Sequence, residues 1–199
     1  MDNIITKNIS PYFSSHDFVL YHQDSLDLLE DIAPGSIDMV FADPPYFLSN
    51  NGITCSSGKM VSVNKGGWDK GLSVMDKHEF NLQWLNLCKK VLKENGTIWV
   101  SGTYHNIYSV GLALEQLGYK ILNNITWYKP NAAPNLSCKY FTHSTETILW
   151  AKKNNKEKHI FHYELMKEIN NGKQMRDVWE FPTTKKARKN MENTQPKNH

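Results

Sequence analysis

Six residues, Ile37-Asp-Met-Val-Phe-Ala42, form a mostly apolar run that stops at two consecutive prolines, in Asp43-Pro44-Pro45-Tyr46. A run of that length bounded by turn residues fits a buried parallel strand better than a half-exposed one. Proline removes a backbone donor and holds φ near about −65°, so the strand ends there and the turn behind it is stiff. A strand of this kind cannot stand alone. The rest of the chain has to supply the elements that cover it.

The neighbouring signals are those of an α/β protein. Phe18–His22 reads as a short strand, and Asp24-Ser25 as the cap of a helix over Leu26–Ile32 that Pro34-Gly35 breaks. Asp76-x-x-Glu79 reads as a capping box opening a helix with Phe80, Trp84, Leu87, Val91 and Leu92 on one face. Asn95-Gly96 ends it, and Thr97–Ser101 is the next strand. A helix near Ile107–Leu117 follows, stopped by Gly118, and then two strand-like segments, Tyr119–Tyr128 and Thr145–Ala151. Between Phe47 and Met75 the periodicity disappears among five glycines, and a loop of that length is usually functional or mobile. This alternation predicts a doubly wound α/β sheet with an antiparallel edge. Ligands of such sheets bind beyond the carboxyl ends of the strands, so the residues after Ala42 and after Val100 are the first places to look for chemistry.

Composition removes other classes. With 12% aromatic residues among 199, the chain is too rich in rings for disorder, and no apolar run approaches the ~20 residues of a membrane span. Cys55, Cys88 and Cys138 form no C-x-x-C pair, and the N-terminus lacks the layout of a secretory signal, so a soluble cytoplasmic protein with free thiols is expected. His143, His159 and His162 show no metal-like cluster, and no metal is expected. Residues 152–199 carry 12 basic and 6 acidic side chains, against 11 and 14 in residues 1–151. A basic final quarter, with the cluster Lys185, Lys186, Arg188 and Lys189, suits a polyanion or a plain solvated tail.

The turn at Asp43 has a specific chemical capacity. A carboxylate and a proline carbonyl held side by side are two acceptors, which suits an exocyclic –NH2 with two hydrogens to donate. The ring of Tyr46 can stack on the flat base carrying that amine. An aromatic amine is a poor nucleophile because its lone pair is delocalised into the ring. Accepting both hydrogens favours a pyramidal nitrogen that can attack a methyl sulfonium directly. Methylation at a ring carbon would need a nucleophilic thiol, typically in a Pro-Cys pair, and the three cysteines follow Thr54, Leu87 and Ser137 instead.

With these residues in view, the chain resembles the permuted (β-class) amino-methyltransferases of bacterial restriction–modification systems. QDSLDLLEDIAPGSIDMVFADPPYFLSN is similar to that family's opening strand, helix and catalytic loop, and WLNLCKKVLKENGTIWVSG to the following helix and strand. ITWYKPNAAPN, FTHSTETILWAKK and Arg176-Asp177-Val178-Trp179 continue the match. The resemblance implies transfer of a methyl group from S-adenosylmethionine to a base amine in double-stranded DNA. Adenine N6 is preferred over cytosine N4 because Asp, not Ser, opens the Pro-Pro-Tyr motif. It implies Asp43, Pro44, Pro45 and Tyr46 as the catalytic clamp, Asp24 and Ser25 (with Asp43) beside the cofactor, and Phe141 and Thr142 with Tyr46 at the target-base pocket. Asp24 and Ser25 are read equally well as a helix cap, and Phe141 and Thr142 as edge-strand packing. Trp68-Asp69 would help close the site over DNA, or serve only as a shielded loop tryptophan and its neighbour.

The family also needs a Gly-rich strand-to-helix turn for the methionine end of the cofactor, and no such run precedes Asp43. The expectation is an incomplete class I methyltransferase-type sheet. Residues 1–152 would form the catalytic part, with a mobile loop at 47–75, and residues 153–199 the basic start of a target-recognition segment. The strand at Phe18–His22 and that at Ile37–Ala42 would both show open edges, and a second chain carrying the cofactor half is the partner implied. An RNA or protein amide methylase and an inactive DNA-binding remnant are the competing readings.

Overall fold

A computed structural model describes residues 4–6, 9–47 and 72–183, together with the backbone of 53–56 and 59–62. The elements run β1 (Phe13–Ser14), β2 (Val19–Leu20), α1 (Ser25–Asp31), β3 (Ile37–Ala42), β4 (Ile53–Ser56), β5 (Lys59–Ser62) and α2 (Val74–Val91). Then follow β6 (Leu92–Gly102), α3 (Ile107–Gln116), β7 (Lys120–Tyr128), β8 (Thr145–Lys152), α4 (Tyr163–Ile169) and β9 (Val178–Glu180).

Five strands form the main sheet in the order β3-β6-β8-β7-β9. β3 is parallel to β6, with Val40 beside Ile98 and Ala42 beside Val100. β8 runs antiparallel between β6 and β7, and β9 pairs parallel with β7. Side-chain alternation divides β6 between two faces. Ile98 and Val100, fully buried, join Leu149 and Ala151 of β8 in a core with Trp84, Leu85 and Cys88 of α2 and Val110, Ala113 and Leu114 of α3. Burial pushes the Cys88 thiol up to about 12, which keeps it protonated and inert. On the other face Trp99 stacks on Trp150 at 4.7 Å and lies 6.2 Å from Trp179 of β9.

Local chemistry explains where the helices begin and end. Asp24 accepts from Leu26 N at 2.8 Å and caps α1. The capping box of α2 is Ser73 with Asp76, three residues before the pair expected at Asp76 and Glu79; Ser73 Oγ accepts from Asp76 N, and Asp76 accepts from Ser73 N. Gly118, at φ +73°, closes α3 while Tyr119 N returns to the Leu114 carbonyl at 2.9 Å, a left-handed position that glycine takes at no steric cost.

One sequence expectation is corrected, and two further features were not foreseen. The strand expected at Phe18–His22 is not in the main sheet: only Val19–Leu20 is extended, paired antiparallel with Phe13–Ser14 in a two-stranded hairpin. The turn-rich stretch after Phe47 holds a second hairpin, β4 against β5. The chain after Lys152 also contributes to the main sheet. It returns through α4 to add β9, because Val178–Glu180 has the extended, alternating pattern that pairs with Thr126–Tyr128. Among the described residues no helix is long and apolar enough to cross a membrane.

Candidate active site

The loop after Ala42 leaves the carboxyl end of β3 beside the carboxyl end of β6, and Ser101 of β6, the loop's own Tyr46 and Asn106 beyond β6 hold it. Ser101 Oγ donates to Asp43 Oδ1 at 2.7 Å, and Tyr46 OH donates to the same oxygen at 2.6 Å. With Oδ1 engaged twice, the carboxylate is held in one rotamer. Its other oxygen, Oδ2, and the Pro44 carbonyl accept no hydrogen bond among the described residues, and Asp43 is exposed. Burial and the Asp43 carboxylate push the Tyr46 phenol far above its usual range, so it remains a donor across all ordinary pH.

The far side of the loop is tied as firmly. Asn106 Nδ2 donates to the Pro45 carbonyl at 3.1 Å, from a side chain only 2% exposed. Phe47 then takes a left-handed φ of 53° and buries its ring edge-on to Phe80 at 6.0 Å. A non-glycine residue in that region costs roughly 1–2 kcal/mol, which the burial of the ring offsets. Neither Ser101 nor Asn106 was singled out in the sequence. Their signal is positional: they follow Val100 at the strand end where ligand sites of such sheets lie.

The other expected site residues are scattered. Asp24 is the cap of α1, and no side-chain hydrogen bond joins it or Ser25 to the Asp43 loop among the described residues. Phe141 is 96% exposed and Thr142 is exposed, so edge-strand packing does not describe them. Their neighbour His143 stacks on Tyr104 at 5.2 Å, and Tyr104 in turn lies against His105 at 3.8 Å, which brings the 140–143 turn beside the loop that carries Asn106. Burial, then His143 and Lys77, lower the pKa of His105, favouring its neutral form. Lys185, Lys186, Arg188, Lys189, Trp68 and Asp69 lie outside the described residues. Among the described residues no group of three or more His, Cys, Asp or Glu side chains could hold a metal.

The site is a carboxylate at the end of a parallel strand, held by the neighbouring strand and followed by a rigid carbonyl-bearing turn. The mixed α/β sheet that carries it has the class I methyltransferase fold. The chain belongs to the DNA methylase (N6/N4 methyltransferase) family, whose model matches residues 37–199. It is 64% identical over 180 residues to the type II methyltransferase M2.LlaDCHI of Lactococcus lactis subsp. cremoris, and 62% identical over 180 residues to M2.DpnII of Streptococcus pneumoniae. Each alignment covers 90% of this chain and 67% of the relative, so the chain spans about two thirds of the length of these curated relatives. Among solved structures, PvuII DNA methyltransferase (cytosine-N4-specific) shares the fold with a TM-score of 0.66 at 17% identity, over 88% of this chain and 61% of that one. TTHA0409, a putative DNA modification methylase of Thermus thermophilus complexed with S-adenosyl-L-methionine, shares it at 0.53 and 15% identity, over 81% and 65%.

Proposed function

We propose that this chain carries the catalytic loop of a restriction–modification DNA methyltransferase that methylates the N6 amine of adenine in duplex DNA. The observation that carries the reading is the clamp: among the described residues Asp43 Oδ2 and the Pro44 carbonyl accept no hydrogen bond, while Asp43 Oδ1 and the Pro45 carbonyl are engaged. Two acceptors on a rigid support match the two hydrogens of a base amine and leave its nitrogen lone pair directed away from the ring. Asp43, Pro44 and Pro45 orient the amine, and Tyr46 and Phe141 offer rings to the flat base. The preference for adenine rests on the Asp-Pro-Pro-Tyr resemblance. Nucleoside analysis of DNA modified by the active enzyme is the test: N6-methyladenine is expected, and N4-methylcytosine alone would overturn the assignment.

S-adenosylmethionine, when bound, supplies a methyl group on a positively charged sulfur. The residues described fit the acceptor side of that chemistry and not a holder for the cofactor's amino-acid end. Asp24 already accepts from the Leu26 N–H of α1, and Gly35, with its positive φ, lies at the opposite end of β3 from Asp43. Asp24 and Ser25 are proposed for the adenosyl side only. The outer edge of β3 accepts no strand among the described residues, and Met39 and Phe41 are 56% and 62% exposed. Further parallel strands, from a second chain or from additional chain, are proposed to pair there and bring the missing holder. Calorimetry on the 199 residues should then show weak binding of S-adenosylmethionine or none, and micromolar binding would reject this division of the site.

Residues 1–152 are proposed as the catalytic part and 153–199 as the start of target recognition. Lys185, Lys186, Arg188 and Lys189 are proposed as phosphate contacts. Each such contact adds roughly −0.9 to the slope of log K against log salt. Neutralising the four should flatten the slope, and an unchanged slope would return them to a solvated tail. DNA is the partner and the cytoplasm the compartment that this reading implies.

A further inference from the structure

Asn106 stands at the N-cap of α3, where an asparagine side chain ordinarily accepts from the helix's first N–H groups, yet it makes no cap hydrogen bond. It faces the Pro45 carbonyl instead. Behind it lies Asn81 of α2, fully buried, whose Nδ2 donates to Asn106 Oδ1 at 2.7 Å and to Ser109 Oγ at 3.0 Å. Asn81 Oδ1 in turn accepts from Trp84 Nε1 at 3.0 Å.

The direction of every bond in this row follows from its two ends. An indole N–H only donates, so Asn81 must turn its oxygen to Trp84 and its nitrogen to Asn106. Asn106 must then meet that nitrogen with its oxygen, which leaves its own nitrogen for Pro45. A proline carbonyl only accepts, so the row closes without a mismatch. Reversing either carboxamide would put two oxygens or two N–H groups face to face in a buried place.

We infer that Asn106, oriented by Asn81 and Trp84, is a positioning residue that sets the catalytic loop by holding the Pro45 carbonyl inward, so that the Pro44 carbonyl and Asp43 Oδ2 face outward together. The inference rests on the reading of Asp43–Tyr46 as an amine clamp. Both prolines have restricted φ, so securing one carbonyl limits the orientation of the next. Ser101 secures the Asp43 end of the same turn, and Asn106 the other.

The test has one arm independent of activity. In the 199-residue chain, Asn106→Ala should raise amide exchange at Asp43, Tyr46 and Phe47 about tenfold or more, while β6 and β8 keep their protection. Unchanged exchange in that loop would overturn the inference, whether or not the chain belongs to a methylating enzyme. The second arm uses the enzyme in the form that methylates DNA. There Asn106→Ala should lower kcat by about 10²-fold, the scale of a misplacement near 1 Å, with KM for DNA changed less than twofold. Asn106→Asp puts a carboxylate against the Pro45 carbonyl, and burial raises the pKa of the introduced group. Its activity relative to the parent should therefore rise as pH falls through that raised pKa, because the protonated acid can donate to Pro45 again. Asn106→Ala should show no such recovery. A folded Asn106→Asp variant with parental kcat at pH 8, or with no recovery on acidification, would reject the polarity argument. A parent enzyme that methylates no DNA would instead reject the proposed function, leaving the exchange result to decide the positioning.

Discussion

β6 and β3 are parallel neighbours with similar apolar content, and their fates differ. β6 has strands on both sides and helices α2 and α3 over one face, so Ile98 and Val100 are fully buried. Among the described residues β3 has β6 on one side only, and more than half of the Met39 and Phe41 surface is open. Composition states that a strand needs cover; it does not state where the cover comes from. The Asp43 loop sits at the junction of the two. It is held by Ser101 of β6 and by Asn106 beyond it, while Asp43 itself is exposed.

The largest effect should come from the loop itself. Asp43→Ala in the DNA-methylating enzyme should reduce methyl transfer by at least about 10²–10³-fold, the scale on which preorganised polar groups act, with an unchanged melting temperature. Full transfer by a folded variant would break the link between the clamp and the reaction.

The next contrast tests the two strands directly. Ile98→Ala in β6 removes fully buried methylene groups and should cost about 2–5 kcal/mol in denaturant unfolding. Phe41→Ser in β3 should stay within about 0.5 kcal/mol for the chain alone, since its ring is mostly in water. It should also reduce self-association, because an exposed apolar edge is a template for pairing. Equal destabilisation by the two substitutions would show that β3 is covered in solution.

A smaller change belongs to the buried helix layer behind β6. Ser73→Ala deletes one half of the capping box of α2 and should cost about 1 kcal/mol by the same denaturant measurement. The other half carries the smallest and pH-dependent effect. Hydrogen bonds from Ser73 lower the pKa of Asp76 below its unfolded value. Its contribution is therefore present at neutral pH and lost as pH falls through the lowered value. The difference in melting temperature between parent and Asp76→Ala should shrink on acidification, and a constant difference would mean that the charge contributes nothing.

Much of the fold around the candidate site was readable because its signals are local. Two prolines after an apolar run can end a strand in only a few ways, and Asp43 and Tyr46 are bound to that turn by covalent connection. The same holds for β3, α1, α3, β7 and β8, each marked by a periodic run between turn or cap residues. The expected strand at Phe18–His22 failed for the opposite reason. Its residues are strand-prone, but β propensity is a preference for a pleated, half-buried surface, and among the described residues the strand that pairs there is Phe13–Ser14.

The sequence by itself therefore determined the strand, the rigid turn, the candidate amine clamp and the helices that cover one face. Only the tertiary structure decided that Ser101 and Asn106 hold the clamp, that Asn81 and Trp84 orient Asn106 from another helix, and that β9 returns to the sheet from the basic segment. The contacts between these elements join residues well separated in the chain, 25 positions between Asn81 and Asn106 and 61 between Pro45 and Asn106. A hydrogen bond between distant residues leaves no periodic trace in either segment, because each partner needs only the right polarity at one point. It becomes legible when packing brings the two points together.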